Sequence, residues 1–431
     1  MGTYPGARRG RRRVPARPWS GPSDRVPRRP TIPSLHRIPA ALISLAVLAG
    51  PGLAPAVAST SEPPATTAAA EELVLGPEHV EAVRARVEQV RADRPVGPQP
   101  DAGLAPAAST NPVVTRHAGT DRYATAAALA DTWYRDYFWD ETKSPFPKEF
   151  EKIAFVANGA TFADALSGGA AAASWGGPIL LTKTDRLPSA TKASLAGLRP
   201  DAIVVLGGPD AVDATVERAL RAYVPTADNV YRVGGSNRWE VSAGTAGLIG
   251  RAPVAFVASG ENFPDGLSGG AAAGTVTSPL LITKRDSVPS VVMSALQEVR
   301  PQRVYVVGGT DAVSDTVVWR LSSTLRVPVT RVSGTDRFAV AAAVAAVHPT
   351  QHGATVANGQ DWADALAGSA FAGLMGDKLL LLKSDSAPLA TQQAIVQHGL
   401  TSIDALGGTA SVQEKVLTTL RRLKVDGPGA G

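Results

Sequence analysis

The chain of 431 residues has no cysteine, which closes off disulfides, thiolate metal sites and thiol redox chemistry. Aromatic residues are scarce at 5%, while glycine (42) and proline (34) are plentiful. Its core must therefore rest on aliphatic and alanine packing punctuated by many turns. Charge is modest at 19%, yet the net +5 invites a nucleic-acid reading. The location of that charge removes it. Residues 1–58 hold ten arginines against Asp24, a net +9, whereas residues 59–117 carry −3 and residues 118–431 carry −1. What remains beyond residue 58 is mildly acidic, and no nucleic-acid partner is expected.

The basic segment runs into Ile38-Pro-Ala-Ala-Leu-Ile-Ser-Leu-Ala-Val-Leu-Ala49, followed by Gly-Pro and the small-residue site Ala56-Val57-Ala58. A basic stretch, a short apolar stretch and an A-x-A site form a secretory signal peptide, so cleavage is expected near Ala58. The apolar run is too short and proline-broken to span a bilayer of about 30 Å, and no other stretch is a transmembrane candidate. Export without a membrane anchor is expected. Residues 59–112 form an Ala/Pro-rich linker, interrupted by Val80, Val83, Val87 and Val90, whose spacing predicts one helix over 77–94.

From residue 113 the chain repeats itself three times. Val114-Thr-Arg116-His-Ala-Gly-Thr-Asp-Arg122 returns as Val230-Tyr-Arg232-Val-Gly-Gly-Ser-Asn-Arg238 and Val329-Thr-Arg331-Val-Ser-Gly-Thr-Asp-Arg337. A second block, Phe155-Val-Ala-Asn-Gly to Ala163-Asp-Ala-Leu-Ser-Gly168, returns at Phe256 to Gly269 and Thr355 to Gly368. The third block, Ile179-Leu-Leu-Thr-Lys-Thr-Asp185, returns at Leu280 to Asp286 and Leu379 to Asp385; a fourth, Val204-Val-Leu-Gly-Gly208, at Val306 to Gly309 and Ala405 to Gly408. Three repeats are therefore expected at 113–228, 229–327 and 328–424, with a tail at 425–431. The first carries extra residues in the Trp/Tyr/Phe-rich stretch 132–152. A period near 100 residues suits a small domain rather than a solenoid unit. Short apolar runs such as Ile179–Thr182 and Ala202–Leu206 read as strands buried on both faces, and helical stretches such as Ala163–Ser174 lie between them. Each copy is thus expected to be a small parallel α/β unit with right-handed crossovers.

The repeated residues fall where strands end and helices begin, the edge at which open α/β sheets place ligands. In Gly119-Thr120-Asp121-Arg122, the glycine turns the chain and Thr or Asp caps a helix. A cap does not require Arg122, Arg238 and Arg337, nor Arg116, Arg232 and Arg331. Guanidinium groups at both places suit carboxylate or phosphate pairing, either with an internal acid or with a ligand. Asp164, Asp265 and Asp364 precede Gly/Ala-rich helices and read as helix caps or rim residues; the small residues after them predict close packing on a sheet or a sister copy. Lys183, Lys284 and Lys383 close a buried strand two residues before Asp185, Asp286 and Asp385, and either pair with an acid or face an anion.

Catalytic patterns are missing. There is no GxxxxGK[ST], no GxGxxG after a strand and no HExxH, and the histidines do not recur among the copies. Gly266-Leu-Ser-Gly-Gly270 matches GxSxG by letter, but Ser268 falls inside an expected helix and copy three has Ala367 in its place. No catalytic residue, metal or cofactor is expected.

The four ordered blocks resemble the cell-wall-binding repeat 2 family of Gram-positive surface proteins, over residues 113 to about 424. The resemblance implies three tandem Rossmann-like units packed with pseudo-threefold symmetry. It also implies non-covalent, non-enzymatic attachment to an anionic wall polymer, teichoic-acid-like or a secondary polysaccharide, by a protein held in the cell wall. The implied contacts fall on Arg122, Arg238, Arg337, Lys183, Lys284 and Lys383. Such repeats often accompany an effector, so a wall-lytic enzyme of amidase type, its modifier, or a structural surface-layer component stand as alternatives. Asn237, Ala367 and Ala410 depart from their counterparts in the other copies.

Overall fold

A computed structural model describes residues 109–139, 152–347 and 353–425. The leader, the helix expected over 77–94, most of the linker and the tail beyond Val425 lie outside the described residues, as do residues 140–151 of the extra stretch. Among the described residues there are twelve strands, all in parallel four-stranded sheets. The first sheet contains β2 (Ile153–Asn158), β3 (Ile179–Thr182), β4 (Ala202–Leu206) and β5 (Val230–Val233) in the order β3-β2-β4-β5. The second repeats this with β6 (Val254–Ser259), β7 (Leu280–Thr283), β8 (Arg303–Val307) and β9 (Val329–Val332). The third contains β10 (Ala354–Asn358), β11 (Lys378–Leu382) and β12 (Ser402–Leu406), and its fourth strand is β1 (Val113–His117) from the other end of the repeat region.

Sequence repeat and sheet are therefore out of phase by one strand. The strand that opens each repeat completes the sheet of the repeat before it, and β1, which has none before it, completes the last. Register is kept throughout: Val233 lies beside Leu206, Val332 beside Val307 and His117 beside Leu406. A strap adds to this closure. Thr110 pairs with Val425 in an antiparallel bridge, and the Asn111 amide donates to the carbonyls of Arg421 and Leu423.

Each opening strand leads into a linking helix: α1 (Arg122–Leu129), and further on α5 (Arg238–Ile249) and α9 (Arg337–Val347). These helices leave the sheet of one unit and pack on the next, α1 against β3, α5 against β7 and α9 against β11. Between them, α2 (Ala163–Ser174), α3 (Ser189–Leu198) and α4 (Ala214–Leu220) serve the first unit. Their equivalents are α6 (Pro264–Thr275), α7 (Ser290–Val299) and α8 (Asp315–Leu325) in the second, and α10 (Ala363–Met375), α11 (Leu389–Gln397) and α12 (Glu414–Arg421) in the third.

The helices α2, α6 and α10 meet one another around a pseudo-threefold axis. Small residues make this possible. A Cβ built on Gly274 would fall 2.6 Å from the Ala173 methyl and 3.3 Å from Gly373 Cα, and one on Gly373 would fall 2.9 Å from the same methyl. The close packing expected from the Gly/Ala pattern is thus between sister copies, backbone against backbone. Gly274→Val or Gly373→Val is expected to destabilise the ring by about 1–3 kcal/mol each through overpacking, read as a lowered melting temperature.

The extra residues of the first copy prolong α1 as a π-helical stretch, Ala130–Phe138. Trp133, Tyr134, Phe138 and Trp139 are all buried, Trp133 stacking on Phe371 at 5.4 Å. These four rings are core, while Thr132 and Arg135 are exposed.

Candidate functional site

Caps form where the turn blocks predict them. The Asp121 carboxylate accepts from Ala124 N, Asp336 from Phe338 N and Ala339 N, and Asn237 from Trp239 N and Glu240 N, so Asn serves as well as Asp. Each cap sets an arginine at the first turn of a linking helix, at the seam between two units.

Arg122 donates through Nη1 to the Gly159 carbonyl of its own unit at 2.8 Å, while its guanidinium lies 4.9 Å over the Trp362 ring of the third unit. Arg238 donates to Gly260 at 2.6 Å and lies 5.7 Å from the Phe162 ring of the first unit. Arg337 repeats the geometry with Gly359 at 2.6 Å and the Phe263 ring of the second unit at 5.7 Å. Arg122 has a remote acid, Asp361, at 3.9 Å. Among the described residues, no carboxylate comes within 4.0 Å of Arg238 or Arg337.

Arg116, Arg232 and Arg331 have a different setting. Each bonds the carbonyl of the first glycine of the Gly-Gly pair in the fourth block (Gly407, Gly207, Gly308) and pairs with an acid on the following helix: Glu414 at 3.1 Å, Glu217 at 2.6 Å and Asp315 at 2.9 Å. Their side chains are 18–21% exposed. The internal-pair alternative describes this set, and the acid involved belongs to the helix after the fourth block, not to the second block.

The three aspartates do not occupy the cap position. Asp164, Asp265 and Asp364 stand one residue inside α2, α6 and α10, and the N-cap residues are Phe162, Phe263 and Trp362, none with a side-chain cap bond. Each carboxylate is instead pressed against a strand end at Gly207, Gly308 or Gly407. These glycines have φ of +109°, +115° and +100°, and a Cβ there would collide with the Asp Oδ2. Burial raises all three carboxyls, Asp265 to about 6, while the facing arginines Arg238, Arg337 and Arg122 act against the rise.

A folded-state pKa above the unfolded value favours folding at low pH, and that contribution is lost as pH rises through about 6. The melting temperature is expected to rise from pH 7.5 to pH 5, with Asp265 contributing about 1–1.5 kcal/mol over that interval. Asp265→Asn is expected to flatten that rise; an unchanged pH slope in the variant would assign it to other groups.

Lys183, Lys284 and Lys383 follow the ends of β3, β7 and β11, and none pairs with the acid two residues on. Asp185 is held by Arg186 at 2.8 Å, Asp286 by Arg285 at 3.1 Å, and Asp385 accepts from Ser386. The Lys183 ammonium lies 5.9 Å from the Tyr123 ring and that of Lys383 lies 5.8 Å from Phe338. Trp239 fills the equivalent place in the second unit, against Gly260 and Ile282. Each seam thus carries an arginine between two aromatic rings, and at two of them the row begins at a strand-end lysine. The rows are Lys183–Tyr123–Arg122–Trp362 and Lys383–Phe338–Arg337–Phe263, with Trp239–Arg238–Phe162 at the remaining seam and Lys284 at the corresponding strand end.

These six aromatics are what the sequence reading missed. The available signal was positional: in a chain with 5% aromatics, a ring follows the recurrent Arg and another precedes the recurrent Asp by two residues in all three copies. Ser268, the GxSxG serine, is buried in α6 and donates to the Asp265 carbonyl at 3.2 Å. Among the described residues, no group of three His, Asp or Glu could hold a metal. No described helix is long and apolar enough to cross a membrane.

Fold and seam define a class of protein: a closed ring of three doubly wound α/β modules with one cation–aromatic row at each junction. The family model for cell wall binding domain 2 matches residues 116–217, 232–318 and 331–417, and the chain belongs to that family. The matched segments are binding modules of the cell wall. Two Bacillus subtilis proteins are similar to it in sequence. One is an amidase enhancer, 28% identical over 309 residues, covering 72% of this chain and 40% of the relative. The other is the N-acetylmuramoyl-L-alanine amidase LytC, 26% identical over 317 residues, covering 73% and 60%. The chain therefore spans well under two thirds of each relative. Among solved structures, Cwp6 from Clostridium difficile aligns with a TM-score of 0.66 at 21% identity, covering 78% of this chain and 52% of that one. Cwp8 from the same organism aligns at 0.60 and 22%, covering 71% and 51%. At these identities the likeness concerns the fold.

Proposed function

We propose that the chain is a secreted, non-enzymatic cell-wall protein that holds an anionic wall glycopolymer non-covalently through its three seams. Arg122, Arg238 and Arg337, with Lys183, Lys284 and Lys383, provide the contacts; Arg116, Arg232 and Arg331 brace the fold through their internal ion pairs. The observation that carries this reading is that Arg238 and Arg337 make no close ion pair, the acids that face them, Asp164 and Asp265, standing off beyond ion-pair distance. Each guanidinium is anchored by a carbonyl and a ring, yet neither has a carboxylate within 4.0 Å among the described residues. A fixed cation without a directly paired carboxylate is suited to an external anion. Together with Arg122, whose acid Asp361 lies 3.9 Å away, they make three arginine sites around one axis, so that a single polymer strand is held at several points and weak contacts add to firm retention.

The relatives named as an amidase and an amidase enhancer match this chain over 317 and 309 residues, about the length of the three repeats. In this reading the ring keeps its bearer at the wall. The test is sedimentation of the chain with purified Bacillus subtilis walls, before and after acid extraction of the secondary polymers. Binding should fall sharply on extracted walls; undiminished binding would sink the anionic-polymer assignment.

A further inference from the structure

At the N-terminal end of the pseudo-threefold axis, Phe162, Phe263 and Trp362 come together. The Phe162 ring centroid lies 5.9 Å from that of Phe263 and 6.3 Å from that of Trp362. Three features separate this cluster from ordinary core. First, each ring belongs to an N-cap residue with no side-chain cap bond. Ser, Thr, Asp or Asn there would satisfy a free backbone N–H, and all three copies forgo that benefit. Second, the rings are only half-buried, whereas Leu166, Leu267 and Leu366, four or so residues further along the same helices, are fully buried. Third, every ring carries a guanidinium within 5.7 Å, each supplied by the neighbouring unit. A locally unfavourable choice repeated three times at one exposed point marks function rather than stability.

We infer that this triad is a stacking platform for one sugar ring of the bound polymer, encircled by Arg122, Arg238 and Arg337. The inference rests on the wall-polymer reading above and sharpens it: the ligand is a polyanion built of pyranose rings, not an acyclic phosphodiester chain. A pyranose presents an apolar C–H face and carries its carboxylate or phosphate substituents at its edge. The platform has the matching pattern, apolar rings at the centre and cations around them. With centroids about 6 Å apart, one small ring touches more than one of the three. An acyclic chain of the same charge satisfies the arginines and leaves the platform unused. The axis then supplies one composite site per ring, with the rows toward Lys183 and Lys383 guiding the strand outward.

The experiment compares the full chain with a Phe162→Leu, Phe263→Leu, Trp362→Leu triple variant and with Trp362→Phe. Retention on purified Bacillus subtilis walls is measured with oligogalacturonate, a pyranose polyanion, or charge-matched polyphosphate as competitor. The unsubstituted chain should be displaced by oligogalacturonate at a concentration at least tenfold below that of polyphosphate. The triple variant should lose that preference and at least tenfold in retention. Equal displacement by the two competitors, or a folded triple variant retained like the unsubstituted chain, overturns the platform. If walls fail to retain the unsubstituted chain at all, the wall-polymer reading falls and takes the platform with it. Should the triple variant not fold, Trp362 emission decides: oligogalacturonate must change the difference spectrum between the unsubstituted chain and Trp362→Phe, and no change overturns the proposal.

Discussion

Glutamine at Arg122, Arg238 and Arg337 together is expected to weaken wall retention by at least a hundredfold while leaving a folded protein. Each guanidinium is assigned a charge-assisted contact worth about 1.5–3 kcal/mol. Because the three surround one axis, their contacts engage the same strand, and linked contacts lose affinity together by factors of about 10²–10⁴. The folded state loses less. Each arginine makes one bond to a glycine carbonyl, of Gly159, Gly260 or Gly359, a net cost of about 1 kcal/mol apiece. The matching variant at Arg116, Arg232 and Arg331 should behave in the opposite sense. Those residues hold both a carbonyl and an acid, Glu414, Glu217 or Asp315, so their loss should lower the melting temperature further and leave retention per folded molecule near that of the parent. Sedimentation with walls beside thermal melts of both variants separates the two sets. Equal retention by the folded Arg122/Arg238/Arg337 variant would remove these residues from the binding surface.

Much of this geometry is written in local sequence, and the exceptions have physical causes. The strands Ile179–Thr182 and Ala202–Leu206 and the helix Ala163–Ser174 coincide with their expected limits, because continuous apolar runs and an unbroken small-residue stretch leave little choice of period. The ownership of β1, β5 and β9 was not legible. They are edge strands only partly buried, and nothing in a short strand with an outward arginine says which of two identical sheets it will extend. The cap reading of Asp164, Asp265 and Asp364 fails because an acid before a Gly/Ala helix only has the form of a cap; each helix begins one residue earlier, after an aromatic N-cap that capping preferences would not choose. What displaced the cap rule is a contact made across the chain, with a glycine at positive φ some 43 residues on. Neither arginine set could be told from the other in sequence either, since the acids that neutralise one set are brought by a later helix.

Replacing His117 by valine is expected to destabilise the ring by about 3 kcal/mol, because it removes the imidazole hydrogen bond to the buried Asp404 carboxylate. The His117 Nε2 lies 2.7 Å from Asp404 Oδ1, and the two side chains are 5% and 2% exposed. This pair occurs only where β1 closes the ring. At the other two junctions the residue equivalent to His117 is Val233 or Val332, and Val204 stands in β4 where β12 has Asp404. Asp404→Val alone should cost a similar amount, while the double variant, which copies the apolar junction of the first sheet, should recover most of the loss, as replacement of a whole buried polar pair by fitting apolar groups does. Non-additivity of at least 2 kcal/mol in the cycle is the expected result; simple addition would show that the two side chains act independently. The functional consequence is local. β1 belongs to the third sheet and α1 to the first unit, so Arg122 reaches Trp362 only while β1 is seated. His117→Val should therefore loosen the Arg122 seam first and leave Arg238 and Arg337 in place, giving partial wall retention at temperatures where the strand is released but the remaining units are folded. A His–Asp pair at the closing strand, and not at the two covalently continuous junctions, gives the ring a specific register where chain connectivity supplies none.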